Sequence, residues 1–206
     1  MADLDQIDEH LSELLCAQEQ ERARQILGAR ERQRWRRGRG LLRALLASYL
    51  NRDASTLRFA AVDHGKPALV GVSTAHAPAP WFNIAHSRQF ALFTFSTAGP
   101  VGVDLEVDDR ALDVVTVARR AFGSREARRL QTLEPSSRRR EFLSAWTRYE
   151  AELKCTGVGI GAREGQRALP WVLELDLGRE RVGAVASERP PHELSCWLWP
   201  PEAGET

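Results

Sequence analysis

Three carboxylates and one lysine form the part of the sequence that is best suited to chemistry. The segment VGVDLE, residues 101–106, alternates as a β-strand does, so Asp104 and Glu106 share one face with Gly102. The glycine would leave open space beside the two acids. Because like charges this close repel each other, we expect a positive group between Asp104 and Glu106.

A second pair of charges lies in the segment EFLSAWTRYEAELKCTG, where apolar residues recur at helical spacing. Glu150 and Lys154 are four residues apart and are therefore neighbours on one helix face. Such a pair is usually a surface ion pair, worth about 0.3 kcal/mol. Together with Asp104 and Glu106, however, Glu150 would complete an all-oxygen site of the kind that Mg²⁺ prefers. A soft metal is disfavoured, because no Cys/His cluster has ligand spacing.

The composition is that of an ordinary globular protein. The chain has 206 residues, 43% hydrophobic and 28% charged, which suits one large domain or two small ones. No run approaches the roughly 18–20 apolar residues of a membrane span, and the polar start does not resemble a signal peptide. The three cysteines are odd in number and far apart, so we expect no disulfides and a reducing, cytoplasmic location.

Basic residues are unevenly distributed although the net charge is only +1. Residues 22–43 contain nine arginines against one glutamate, and a second run occupies residues 138–140. These runs indicate either a solvated helix face or a local anionic partner, with an arginine-rich nucleic-acid-binding module as one alternative. Only Lys66 and Lys154 are lysines, and a compact ammonium suits a tight phosphate site.

The hydrophobic pattern predicts an α+β fold of two pseudo-symmetric subdomains, residues 1–100 and 101–206. Each is expected to pack a small, mostly antiparallel sheet against helices, with the active site in the cleft between them. Ser136 or Ser137 is expected to cap the last helix, and Gly157 to end it. The predicted helices are 4–26, 32–50 and 136–156, and two further helical stretches are predicted at 114–122 and 124–133. The predicted strands are LRFAAV, WFNIAHS, FALFTFS, GPVGVDLE, LPWVLELDL, RVGAVAS and LSCWLW.

Four motifs occur in an order that resembles a known enzyme family. They are RGLLRALLASYL from Arg39, GKP at 65–67, FNIAHS at 82–87, and VGVDLE followed about forty residues later by WTRYEAELKCTGVG. Over roughly residues 20–190 the chain resembles the 4′-phosphopantetheinyl transferase superfamily, in its larger, usually monomeric, surfactin-synthetase-activator type.

The resemblance implies a reaction and a set of catalytic residues. Such enzymes transfer the phosphopantetheine arm of coenzyme A to a serine of an acyl or peptidyl carrier protein and release 3′,5′-ADP, which serves fatty acid, polyketide or nonribosomal peptide synthesis. By the match, Asp104, Glu106 and Glu150 would bind Mg²⁺ or Mn²⁺. Glu150 would deprotonate the serine, directly or through water, and Lys154 would neutralise charge on the phosphates.

The resemblance also implies where coenzyme A binds. Arg39 would reach the nucleotide 3′-phosphate, and the turn at 65–67 would frame the adenine. His86 and Ser87 would contact phosphates. The implied coenzyme A contacts are therefore Arg39, Gly65, Lys66, Pro67, His86, Ser87 and Lys154.

Two departures from the family pattern leave an alternative open. Tyr149 stands where the family usually has lysine, and packing on the apolar stripe would explain it; no strand is evident before Leu4, where the family usually has one. A catalytically impaired relative that still binds coenzyme A is therefore an alternative. For an active enzyme we expect an acidic carrier protein docked on residues 125–140, a monomer, and neither membrane nor nucleic acid as a partner.

Overall fold

The computed structural model describes residues 1–61, 67–71, 79–108, 113–157 and 169–200. The chain forms two compact units, Met1–Gly99 with Pro191–Thr206, and Pro100–Pro190. Short 3₁₀ helices span Glu9–Leu14 and Ala54–Thr56. The α-helices are α1 (Ala17–Arg24), α2 (Ala29–Leu50), α3 (Val114–Gln131) and α4 (Pro135–Thr156). The strands are β1 (Ala2–Asp3), β2 (Arg58–Ala61), β3 (Pro67–Val70), β4 (Trp81–Ser87), β5 (Phe90–Ser96), β6 (Val101–Val107), β7 (Trp171–Leu175) and β8 (Arg181–Ser187).

The first unit combines two small antiparallel sheets with the long helix α2. One sheet has the strand order β1-β5-β4, and the other is the pair β2-β3. Leu41, Leu42 and Leu46 of α2 are fully buried. The predicted hairpin of β4 and β5 is present, and Arg88 adopts a positive φ of 54° in its turn.

The second unit is an antiparallel sheet with the order β6-β8-β7, packed against helices. Its core contains Phe142 and Leu143 from α4 together with Ala118, Ala127 and Leu130 from α3. The predicted α+β class is therefore confirmed, whereas the cleft between the halves stays a prediction. None of the helices in the described ranges is both long and apolar enough to cross a membrane.

The predicted continuous helix over residues 4–26 is wrong. The chain instead forms the 3₁₀ helix at Glu9–Leu14 and then α1, separated by extended backbone at Leu15 and Cys16. Two local hydrogen bonds favour this break: Asp8 accepts from the backbone N–H of His10, and Glu19 accepts from that of Cys16. Apolar side chains at helical spacing are still buried, namely Leu4, Ile7, Leu11 and Leu15.

A strand does precede Leu4, contrary to the sequence prediction. The two residues of β1 pair with β5, with Ala2 opposite Ala91 and Asp3 opposite Phe90. A strand of two residues is too short to show any alternation, which explains why the sequence pattern missed it.

The segment LSCWLW was predicted as a strand, and this prediction is wrong. Its backbone forms an isolated bridge with the N-terminal residues instead: the N–H of Trp199 donates to the carbonyl of Met1 at 2.8 Å, and the carbonyl of Trp197 accepts from the N-terminal ammonium at 2.6 Å. Prolines at 190, 191 and 200 flank the segment and cannot donate to a strand ladder. The segment groups with the first unit, so the predicted division at residue 100 differs from the observed units at the C-terminus.

Helix boundaries in the second unit follow from individual residues. Gly123 has a φ of 85° and interrupts α3 between the two predicted helical stretches. Helix α4 begins at Pro135 after Glu134, so the predicted caps at Ser136 or Ser137 are wrong; proline is preorganised for a first helical turn. Gly157, with a φ of 72°, ends α4 as predicted.

Six of the seven arginines of α2 are paired with acids of their own unit. Asp5, Glu9 and Glu19 each contact two of them, and hydrogen bonds from Arg34 in particular hold the pKa of Asp5 well below its usual range. Three carboxylates against six guanidinium groups leave an excess of positive charge, so these contacts fix the arginine side chains without neutralising them. The pairs are Asp5 with Arg30 and Arg34, Glu9 with Arg36 and Arg37, and Glu19 with Arg39 and Arg43.

Gly102 does not leave open space beside the carboxylates, as the sequence had suggested. A Cβ atom there would lie 2.1 Å from the carbonyl oxygen of Ala151 and 2.4 Å from the backbone nitrogen of Cys155. The backbone of α4 therefore lies directly on β6 at this position, and only glycine permits the approach.

We expect Gly102→Ala to lower the free energy of unfolding by about 1–3 kcal/mol, because the new methyl group overpacks this contact. Urea denaturation measures the change. Gly38→Ala in α2 is the matched control: its Cβ would lie 3.4 Å from Leu4, an ordinary contact, and a helix interior gains about 0.5–1 kcal/mol from this change. Equal stability of Gly102→Ala and the wild-type protein would contradict the packing described here.

Candidate active site

Helix α4 brings Lys154 onto the acidic face of β6. Its ammonium Nζ donates to Oδ1 of Asp104 at 2.6 Å. The Asp104 side chain is only 8% exposed, whereas that of Lys154 is 30% exposed. The positive group that the sequence led us to expect beside Asp104 is therefore, in this structure, Lys154.

Glu150 lies one turn before Lys154 and is half-buried. Burial raises the pKa of its carboxyl group, and the negative charge of Asp104 raises it further, while Lys154 opposes both effects. The three side chains thus act on each other electrostatically. The result is a glutamate that accepts a proton more readily than an exposed one does.

Glu106 occupies the same face of β6 as Asp104, two residues further along. It lies opposite Val182 of β8 and is partly exposed, and Asp104 lies opposite Ala184. Residues two apart in a strand are separated by roughly 6.5–7 Å, so Glu106 extends the acidic face beyond Asp104.

The chemistry of these donors fits a hard divalent cation. All three groups are carboxylates, and the mutual repulsion between Asp104 and Glu150 is what a cation would relieve. Within the described residues, however, no three acidic, histidine or cysteine side chains converge closely enough to hold a metal ion. The predicted ligand set of Asp104, Glu106 and Glu150 stays a prediction.

The predicted coenzyme A contacts that the structure describes lie in the first unit. His86 is exposed and Ser87 half-buried at the end of β4, and Pro67 opens β3 opposite Ala61. Gly65 and Lys66 fall outside the described residues. Their roles stay predictions.

Arg39 is held by two neighbours that sequence reasoning missed. Its Nε donates to Oε1 of Glu19 at 2.5 Å, and its guanidinium carbon lies 4.0 Å from the ring centre of Phe59. Glu19 lies three residues after Cys16 and accepts from its backbone N–H; this capping pattern is the one local signal that could have drawn attention to it.

Tyr149 packs as the apolar stripe predicted. Its ring meets Phe122 edge-on at 5.7 Å, and Phe122 also contacts Phe142 and Trp146. The tyrosine that replaces the usual family lysine therefore belongs to an aromatic cluster between α3 and α4.

The second arginine run, residues 138–140, is engaged inside its own unit. Arg138 donates to three carbonyl groups at the end of α3 and beyond, those of Leu130, Gln131 and Leu133. Arg139 pairs with Asp108 at 3.0 Å, and Arg140 donates to the carbonyl of Arg179. Arg138 therefore stabilises the turn between α3 and α4.

Comparison with known proteins places this chain in a family. Residues 100–197 match the model of the 4′-phosphopantetheinyl transferase superfamily, and residues 5–97 match that of the 4′-phosphopantetheinyl transferase N-terminal region. Both matches follow the order of the motifs in the sequence.

Individual relatives agree with the family models. A putative 4′-phosphopantetheinyl transferase from Synechocystis sp. is 37% identical over 147 residues, covering 71% of this chain and 58% of the relative. The 4′-phosphopantetheinyl transferase HetI from Nostoc sp. is 34% identical over 164 residues, covering 78% of this chain and 68% of the relative. The 4′-phosphopantetheinyl transferase Sfp from Bacillus subtilis is 24% identical over 194 residues, covering 93% of this chain and 78% of the relative.

The match therefore spans less than two thirds of the Synechocystis relative and slightly more than two thirds of HetI. Two family models cover nearly all of the chain between them, and the identity to HetI exceeds 30%. On this evidence, the chain belongs to the 4′-phosphopantetheinyl transferase superfamily.

Proposed function

We propose that this protein transfers the 4′-phosphopantetheine arm of coenzyme A to a serine of an acyl or peptidyl carrier protein and releases 3′,5′-ADP. The observation that carries the proposal is the cluster on β6 and α4. There a lysine ammonium lies on a buried aspartate, beside a glutamate whose pKa is raised. A chain of this family with that cluster has a candidate base and a cation for phosphoryl transfer.

In the proposed reaction the serine oxygen attacks the phosphorus that carries the pantetheine arm. A new P–O bond forms to serine, the bond to the bridging oxygen of the pyrophosphate breaks, and 3′,5′-ADP leaves. The serine proton passes to the carboxylate of Glu150, directly or through a water molecule. Burial raises the pKa of Glu150 in the metal-free protein, whereas binding a cation would make its carboxylate a weaker base, so the water-relayed transfer is kept as the second route. General-base help is worth about 10²–10⁴-fold.

Lys154 would stabilise the charge that grows on the leaving oxygen. Phosphoryl transfer depends chiefly on positioning and on charge stabilisation, so a fixed ammonium matters for the rate. Asp104 holds that ammonium at 2.6 Å, which limits the positions it can occupy before substrate arrives.

Asp104, Glu106 and Glu150 would hold Mg²⁺, with Mn²⁺ as the other candidate. When bound, the metal would offset the negative charge of the pyrophosphate. The coenzyme A contacts proposed on the first unit are Arg39, Gly65, Lys66, Pro67, His86 and Ser87.

The physiological setting is part of the proposal. The three cysteines form no disulfide, as suits a reducing compartment, and we place the activity in the cytoplasm. We expect a monomer. Carrier proteins of fatty acid, polyketide or nonribosomal peptide synthesis are the substrates to test.

Incubation with an apo carrier protein, coenzyme A and Mg²⁺ tests the reaction directly. We expect the intact mass of the carrier to rise by one phosphopantetheinyl group, and EDTA to abolish the change. Glu150→Gln should lower the rate by at least about 100-fold, and Lys154→Ala by about 10²–10³-fold. Glu152→Gln removes another half-buried carboxyl group of α4 whose pKa is raised and should remain active.

The alternative hypothesis, a catalytically impaired relative that still binds coenzyme A, predicts a different result in the same assay. No added mass on any of the three carrier classes, from protein that binds coenzyme A in calorimetry, would support it. Tyr149→Lys, which restores the usual family residue, would then be the change to test.

The raised pKa of Glu150 also predicts a pH-dependent effect on stability. In metal-free protein, ionising Glu150 costs free energy in the folded state, so Glu150→Gln should be more stable than the wild-type protein at pH 7. The difference should shrink as the pH falls below the ordinary glutamate value of 4.5, where the group is protonated in both states. Urea denaturation in the presence of EDTA measures the stability difference between Glu150→Gln and the wild-type protein at pH 7 and at pH 4. A Glu150→Gln variant that is less stable than the wild-type protein at pH 7 would contradict this account.

Docking of an acidic carrier protein is best tested on α3. Arg125 and Arg128 are exposed and form no ion pair with the residues that the structure describes, whereas Arg138 has a structural role. A variant that combines Arg125→Glu with Arg128→Glu should have a several-fold higher KM for the carrier at low salt and an unchanged kcat, because docking charges act mainly on association. Arg179→Glu carries the same type of charge reversal and is the control. An unchanged KM would refute the docking site.

A further inference from the structure

Glu19 joins two arginines of α2 in a buried charge cluster of the first unit. Its Oε1 accepts from Nε of Arg39 at 2.5 Å, and its Oε2 accepts from Nη1 of Arg43 at 2.9 Å. The side chains of Glu19, Arg39 and Arg43 are only 9%, 14% and 1% exposed. We call these three residues the Glu19 cluster.

Arg43 anchors the cluster to the protein backbone. Its Nη2 donates to the carbonyl oxygens of Ala54 and Leu57 at 2.7 and 3.0 Å. The backbone N–H of Cys16 donates to Oε2 of Glu19 at 3.0 Å. Glu19 is therefore fixed from both α1 and α2 before it contacts Arg39.

Arg39 is fixed on one edge and one face. Glu19 binds its Nε, and the ring of Phe59 lies 4.0 Å from its guanidinium carbon. In the described part of the chain its two Nη groups make no hydrogen bond. A guanidinium held in this way presents two parallel donors, which is the arrangement that recognises a phosphate group.

The charges of the Glu19 cluster do not cancel. Burial raises the pKa of Glu19, but the hydrogen bond from Cys16 and the two arginines outweigh that effect, so its pKa is lowered and it is ionised at pH 7. Two guanidinium groups against one carboxylate leave a net charge of +1. An excess charge with so little exposure to water is costly, and a bound anion would offset it.

We propose that Glu19 is a positioning residue for phosphate recognition: it holds Arg39 against Phe59 so that the free edge of the guanidinium binds the 3′-phosphate of coenzyme A. The first unit thereby discriminates coenzyme A from dephospho-coenzyme A. This inference rests on the proposed function, which supplies coenzyme A as the co-substrate.

Glu19→Gln separates positioning from charge. The substitution raises the net charge of the cluster to +2, so charge alone predicts tighter phosphate binding. Loss of positioning predicts weaker binding, because the glutamine amide cannot hold both arginines. The two explanations therefore predict opposite changes.

Calorimetry of the full chain would measure the dissociation constants of coenzyme A and dephospho-coenzyme A. We expect the wild-type protein to prefer coenzyme A by at least about tenfold, as suits charge-assisted hydrogen bonds. Glu19→Gln should reduce that preference several-fold with little change for dephospho-coenzyme A, whose unaltered binding shows that the variant is folded. Phe59→Leu, which removes the ring without changing charge, should have the same effect.

Glu9→Gln is the matched control, because Glu9 also pairs with two arginines of α2 but on a more exposed part of the helix. The Glu9→Gln variant should prefer coenzyme A over dephospho-coenzyme A to the same extent as the wild-type protein. Competition by 3′,5′-ADP but not by equimolar inorganic phosphate would assign the site to the nucleotide rather than to free phosphate.

Three results would overturn the inference. An unchanged or increased preference in Glu19→Gln would show that Glu19 does not position Arg39 for phosphate. Wild-type protein that modifies a carrier yet binds both coenzymes equally would overturn this inference alone. Wild-type protein that binds neither coenzyme and modifies no carrier would overturn the proposed function as well.

Discussion

The contact between the backbones of α4 and β6 at Gly102 determines the geometry of the candidate active site. A helix rises about 1.5 Å and a strand about 3.3 Å per residue, so one fixed point of contact decides which side chains meet. Here Ala151 and Cys155 lie at the contact. Their neighbours Glu150 and Lys154 therefore reach the acidic face of β6, and a larger residue at 102 would lift the helix away from it.

Electrostatics then gives each charged group of the site a distinct role. Lys154 compensates Asp104, which is almost fully buried, while Glu150 is half-buried near both and has its pKa raised. This arrangement reduces stability at neutral pH, since ionised carboxylates lie close together in a poorly hydrated place. Such conflicts are common where a protein keeps groups for chemistry, and a pyrophosphate with its cation is the kind of ligand that would resolve this one.

The sequence predicted what depends on local pattern and missed what depends on distant contacts. Alternation placed Asp104 and Glu106 on one face of a strand, and a spacing of four placed Glu150 beside Lys154. Gly102 was misinterpreted because its role depends on a helix some fifty residues away. The N-terminal helix failed similarly: its apolar spacing was real, but capping bonds at Asp8 and Cys16 divided it. Glu19 bridges residues twenty and more positions away, and no periodicity reveals such a pairing.

The choice between arginine and lysine acquires a physical meaning from the structure. Many arginines here serve several acceptors at once: Arg43 binds Glu19 and two carbonyls, and Arg138 binds three carbonyls. A planar fork with five donors suits that bridging role. Lys154 brings a compact charge on a flexible stem to within 2.6 Å of Asp104. An arginine at this position would present a broad planar fork to Asp104, so the compact ammonium of lysine is the better match for the charge stabilisation proposed at a single leaving oxygen.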